Sequence, residues 1–276
     1  MLRMSECVND QVNNGQATVS GVMNRRELIQ RLAVLSFNLA MRDGNTSPIR
    51  QTFMQKSRST QSGAARLPSI VAGVRLVDSK IARLVTDLSR MVSPPYLFNH
   101  AVRTFVFGSF VGRALGQKID EEVLYLACML HDLGLTKQFQ GDLPFEIQGA
   151  QAAKQFLEEH KYSTDRIGIV WDGIAMHTSL LGQFKQPEIA LVGAGAGADV
   201  IGPDPAQIKR TDVEEVVRIF PRLGFKNAFV STCADVVRSH PKGASRSFMR
   251  DIGERYVPDF RPRNFCDLVA QAPFSE

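Results

Sequence analysis

The sequence predicts an all-α fold. Three observations carry that expectation. From about residue 70 onward apolar residues recur at three- and four-residue spacing, capping and breaking residues bracket those segments, and no stretch alternates apolar and polar residues as a half-buried strand would. With 276 residues, 44% hydrophobic and 22% charged, the chain has the composition of a globular protein able to bury a substantial core.

Taken in order, the first segment is "NRRELIQRLAVLSFNLA", residues 24–40. Leu28, Leu32, Leu35 and Leu39 recur at helical spacing, which predicts an amphipathic helix. The Arg25–Arg26 pair ahead of an apolar stretch also resembles a twin-arginine export signal, although Gln30, Arg31 and Asn38 interrupt that stretch. The helix reading is preferred, with a cytoplasmic location and export as the alternative. Residues 43–69 are rich in Ser, Thr, Gln, Gly and Arg and read as a linker, so residues 1–69 form an N-terminal extension and residues 70–276 the folded domain.

Within that domain, "DSKIARLVTDLSRMV" opens on Asp78 as N-cap and places Ile81, Leu84, Val85 and Leu88 on one face. "PPYLFNHAVRTFVFGSFVGRAL" follows the Pro94–Pro95 break, and "DEEVLYLACMLHDLG" carries acids in its first turn. Further helices are predicted over "EIQGAQAAKQFLEEH", "TDRIGIVWDGIAMHT", "EIALVGAGAGADVIG", "TDVEEVVRIFP" and "FKNAFVSTCADVVRS". The glycines of "GAGAGADVIG" lack the preceding strand that a dinucleotide fingerprint needs. In a helix they serve close packing instead.

Composition also narrows the partners. The net charge is +5, but the basic residues are scattered or concentrated before residue 70, so no nucleic-acid partner is expected. No apolar run approaches the roughly 18 residues of a membrane span, so none is expected there either. Cys7, Cys128, Cys233 and Cys266 are far apart, which argues against a disulfide framework or a zinc–thiolate site. A homo-oligomer is allowed for.

The chemistry centres on "YLACMLHDLGLTKQF". An apolar helix ends on His131 and Asp132. A histidine followed by Gly134 suits a helix C-terminus, but the charge of Asp132 is on the wrong end of the dipole. His100 in "LFNHAVRTFVFG", His177 in "IAMHTS" and Asp199 in "GAGADVIG" are likewise set in apolar surroundings. Each alone is more often a capping or core residue. Together, imidazoles and carboxylates on separate helices suit one divalent transition metal, with zinc first and iron, manganese or cobalt accommodated.

The order His100, His131–Asp132, Asp199 resembles the HD superfamily of metal-dependent hydrolases. The flanks "LFNHAVRTFVFG", "LACMLHDLGLT", "FEIQGAQAAKQFL", "IAMHT" and "ADVIG" are similar to its cyanamide hydratase branch over about residues 70–270. The resemblance implies an HD-domain helical bundle with the metal site between helices and with His100, His131, Asp132 and Asp199 as ligands. His177 and Glu146 then become candidates for proton transfer or substrate orientation, and Thr136 for a hydroxyl beside the ion. Their plainer roles are a buried polar residue, a first-turn acid and a turn former. The implied activity is hydration of a small nitrile, cyanamide giving urea. The alternatives are an HD phosphohydrolase of a nucleotide or phosphoester, for which Arg103, Arg113 and Lys137 would have to converge, and a non-catalytic HD binding module.

Overall fold

The computed structural model describes residues 66–204 and 206–274, apart from the side chain of Arg246. Cys7 and the segment 24–40, expected as an amphipathic helix or export signal, lie outside the described residues. The architecture is all-α, as expected. Among the described residues ten helices follow one another: α1 (Lys80–Val92), α2 (Pro95–Ala114), α3 (Glu121–Leu130), α4 (Phe145–Glu159), α5 (Thr164–Met176), α6 (Pro187–Ile201), α7 (Arg210–Ile219), α8 (Phe225–Ser239), α9 (Met249–Tyr256) and α10 (Phe265–Ala270). Tight 3-10 turns occupy Leu133–Leu135, Leu180–Phe184 and Gly243–Arg246.

Two local features differ from the sequence expectation. A minimal antiparallel pair, β1 (Ile70–Val71) with β2 (Val74–Arg75), precedes the bundle. Two residues per strand are too few for an alternation to be legible, and the pair is closed by Ala72 and Gly73, both with left-handed φ. The N-cap of α1 is Ser79, whose hydroxyl accepts from the Ala82 amide at 3.2 Å, while Asp78 pairs with Arg83 at 3.0 Å. Adjacent Asp and Ser can each cap, and the ion pair draws Asp78 away.

Helix α2 is the hub. His100, Val102, Arg103, Phe105, Val106 and Phe107 are all buried on it, including two residues that would normally seek water. Helix α6 packs along it at backbone distance. A β-carbon on Gly108 would come within 2.8 Å of the Leu191 carbonyl, and one on Gly195 would collide with the Thr104 carbonyl. The glycines of α6 therefore serve helix packing, and the close approach sets Asp199 of α6 beside His100 of α2. Gly195→Ala is expected to force the helices apart at a cost of about 1–3 kcal/mol, the usual range for overpacking. A thermal melt checks this, and an unchanged midpoint would show that the contact yields. Among the described residues no helix is long and apolar enough to cross a membrane.

Candidate metal centre

Helix α3 is buried without a break from Val123 to Leu130 and stops where burial meets charge. His131 still has helical dihedrals, φ −61° and ψ −31°, whereas Asp132 has left them, at φ −101° and ψ 13°, and leads into the 3-10 turn Leu133–Leu135. Consecutive helical side chains diverge by about 100°. The turn between these two brings them back, with His131 Nε2 3.2 Å from Asp132 Oδ2.

Three histidines are held in the same tautomer. His131 Nδ1 donates to the Cys128 carbonyl at 2.7 Å, His177 Nδ1 to the Ile174 carbonyl at 2.7 Å, and His100 Nδ1 to Asp199 Oδ2 at 2.7 Å. Carbonyl and carboxylate oxygens only accept, so each neutral ring carries its proton on Nδ1 and presents a bare Nε2 lone pair. The Nε2 atoms of His100 and His131 lie 3.1 Å apart, and Asp132 Oδ2 is 3.4 Å from the former. All three residues are buried, and Asp132 Oδ2 has no hydrogen-bond partner. Two lone pairs and an anionic oxygen face one another without a donor, beside the negative end of a helix. Such an arrangement repels itself unless a cation stands among the three atoms, and imidazole with carboxylate is the donor set of a divalent transition metal.

The protonation tendencies agree. Burial pulls His131 down, but the charge of Asp132 outweighs it, so the place rewards a positive charge. Burial also opposes ionisation of Asp132, yet the neighbouring histidines hold its carboxyl below the usual carboxylate range. His100 is lowered by burial despite its bond to Asp199. His177 is lowered to about 4, first by burial and then by His131.

Around this core stand the other predicted residues. His177 caps α5, its Nε2 3.9 Å from Asp132 Oδ1 and its ring edge-on to that of His131. Glu146, in the first turn of α4, is buried. Its Oε1 accepts from the Thr178 hydroxyl at 2.7 Å and its Oε2 has no partner. Burial raises its pKa, the Thr178 bond opposes, and the charge of Asp132 adds to the rise. Thr136 donates its hydroxyl to the Leu133 carbonyl at 2.7 Å and so closes the turn after the His–Asp pair, which is its plainer role.

Asp199 is set apart from the cluster. It faces His100 from the Nδ1 side of the ring, and its carboxylate also takes a two-point contact from the wholly buried Arg103, Nε to Oδ1 at 2.8 Å and Nη2 to Oδ2 at 2.7 Å. Burial opposes its ionisation, but His100 and Arg103 hold its carboxyl below the usual range. Of the arginines and lysine weighed for a phosphate, Arg103 is bound to Asp199, Arg113 donates to the Gly73 carbonyl, and Lys137 is exposed, so they do not converge.

Sequence reasoning missed the surroundings. Arg103 was legible, as an arginine one helical turn beyond His100 in an apolar helix. In the sequence, Phe225 and Phe229, 4.9 and 6.2 Å from the His100 ring, read as plain core, as do Phe145, 5.6 Å from His177, and Phe248, which meets both Phe145 and Phe229. Nothing in their spacing distinguishes a wall of the site from a wall of the core.

The chain is similar in sequence to known proteins. Residues 97–186 match the HD domain family, a span that holds His100, His131, Asp132, Glu146 and His177. Over 187 residues, 65% of this chain and 83% of each relative, the chain is 25% identical to Cyanamide hydratase DDI2 and to Cyanamide hydratase DDI3 of Saccharomyces cerevisiae (strain ATCC 204508 / S288c). A shorter similarity, 31% over 58 residues, links 21% of the chain to 37% of an uncharacterized protein of Clostridium beijerinckii (strain ATCC 51743 / NCIMB 8052).

Proposed function

We propose, from the match of residues 97–186 to the HD domain family, that this chain is a metal-dependent hydratase of a small nitrile, cyanamide being the substrate to test first, with residues 70–276 as the catalytic domain. His100, His131 and Asp132 would hold one divalent ion, zinc first, and Asp199 would serve it from the far side of His100. The observation that carries the substrate class is the lining. The rings of Phe145, Phe225 and Phe229 flank the histidines, with Phe248 behind them, and the nearest buried guanidinium, Arg103, is engaged by Asp199. A phosphate needs free cations. A small neutral molecule does not.

When bound, the ion lowers the pKa of water from 15.7 toward about 7 and so makes hydroxide available at neutral pH. The protein supplies the proton traffic. His177, kept neutral by burial, accepts a proton from water at Nε2 as the oxygen bonds to the nitrile carbon. Glu146, with a raised pKa and an unpartnered Oε2, delivers a proton to the nitrogen as the triple bond opens. Oxygen and two protons are thereby added, no group leaves, the resulting isourea tautomerises to urea, and the proton left on His177 passes through water to Glu146 to reset the pair. Thr178 holds Glu146 Oε1, leaving the other oxygen as the proton carrier.

The test is elemental analysis of the purified protein together with assays on cyanamide and a panel of phosphomonoesters and nucleotides. Metal with urea production is the expected result. Metal with phosphate release and no urea would replace the nitrile by a phosphoester. Glu146→Gln and His177→Ala are each expected to keep the ion and lose about 10²- to 10⁴-fold in kcat, the usual contribution of a positioned acid or base. Full activity in both variants would remove them from the mechanism.

A further inference from the structure

The turn joining α7 to α8, Phe220–Gly224, is fastened to the helix that carries His100. Asn99 donates to the Pro221 carbonyl at 2.9 Å, and Arg103 Nη1 donates to the carbonyls of Phe220 and Pro221 at 3.0 and 3.2 Å. The turn holds two successive left-handed residues, Leu223 at φ 51° and Gly224 at φ 73°. A leucine rarely adopts that conformation, and here its side chain is exposed, so packing of Leu223 does not explain it.

What the turn does is aim Arg222 inward. Arg222 Nη1 donates both to the Asp199 backbone carbonyl at 2.6 Å and to Asp199 Oδ1 at 2.8 Å. Its guanidinium carbon also lies 4.7 Å from the centre of the Phe225 ring, and that ring is 4.9 Å from the ring of His100. Arg222 thus reaches His100 by two independent routes. One runs through the carboxylate that takes the Nδ1 proton, and the other through the aromatic plane packed against the imidazole. Partners of this kind fix the tautomer and orientation of a metal-binding histidine.

We propose that Arg222 is a positioning residue of the metal centre: from a surface turn it holds Asp199 and Phe225, and through them the direction of His100 Nε2. The proposal rests on the metal reading given above. Lysine cannot replace it fully, because an ammonium lacks the planar face that lies on Phe225.

The experiment compares the full chain with Arg222→Ala and Arg222→Lys by titrating zinc against a chromogenic chelator, with and without millimolar guanidinium, and by melting the metal-free proteins. Arg222→Ala is expected to bind zinc about 10- to 100-fold more weakly, the usual loss for an outer partner of a metal ligand. Arg222→Lys should fall between the two, and guanidinium should restore affinity to the alanine variant alone. Equal zinc affinity in all three proteins would overturn the proposal. A loss that guanidinium does not repair, matched by a lower melting temperature without metal, would make Arg222 a mere strut of the turn and overturn it equally. Should the unaltered chain bind no divalent ion, the metal reading itself falls and takes this one with it, an outcome visible before any variant is made.

Discussion

Asp132→Ala is expected to leave the centre without metal and reduce activity to background while circular dichroism retains its helical signal. The carboxylate is the only anionic donor of the three-atom cluster, and its Oδ2 sits within 3.4 Å of both Nε2 atoms. Without it, an ion would have to give up its water for two neutral imidazoles in a buried place. The loss of charged hydration would then go uncompensated. The backbone does not need the side chain, since residue 132 follows the helix and its φ of −101° suits alanine. Asp132→Asn, which keeps the shape and removes the charge, should behave the same way. Elemental analysis decides: a stoichiometric ion in both variants would show that the cluster is not the binding site.

Arg103→Met is expected to produce the largest loss of stability of any substitution outside the cluster. Methionine retains much of the buried stem but removes donors to both oxygens of Asp199 and to the carbonyls of Phe220 and Pro221. Asp199 then remains buried with its charge met only by His100 and Arg222. Removing one partner of a buried ion pair costs about 3–5 kcal/mol. At about 2–4 °C per kcal/mol for a domain of this size, the melting midpoint should fall by about 6–20 °C. Arg103→Lys should recover only part of this, since one ammonium cannot match both carboxylate oxygens side by side. A midpoint within about 2 °C of the parent would mean that the carboxylate finds another partner or takes up a proton; a drop of 2 °C is the usual effect of less than 1 kcal/mol.

The His131–Asp132 pair was legible because it breaks a local rule: an acid at a helix C-terminus opposes the dipole, and only something outside the helix can compensate it. His100 was legible for a related reason, as a polar ring in a run of apolar residues. Thr136 shows the limit of the same logic. Its position beside the pair made it a candidate for the ion, but its hydroxyl is taken by the Leu133 carbonyl three residues back. A side chain that can satisfy a nearby backbone group does so, and proximity in the chain then says little about the site.

What the sequence determined by itself is what periodicity and local charge report: the all-α class, the helices of the bundle, and the residues whose presence in an apolar helix demanded a partner. Which partner each one takes was decided by the tertiary structure alone. Asp199 lies on the Nδ1 side of His100 because Gly108 and Gly195 let α2 and α6 meet at backbone distance, and because Arg103 and Arg222 hold its oxygens there. Phe225 and Phe229 became a wall of the site because α8 packs against His100 from far along the chain. A helix shows in its own sequence which face it buries. It does not show what that face will be buried against, because the energy of apolar burial has no direction and the hydrogen bonds that do have one are made only when the helices meet.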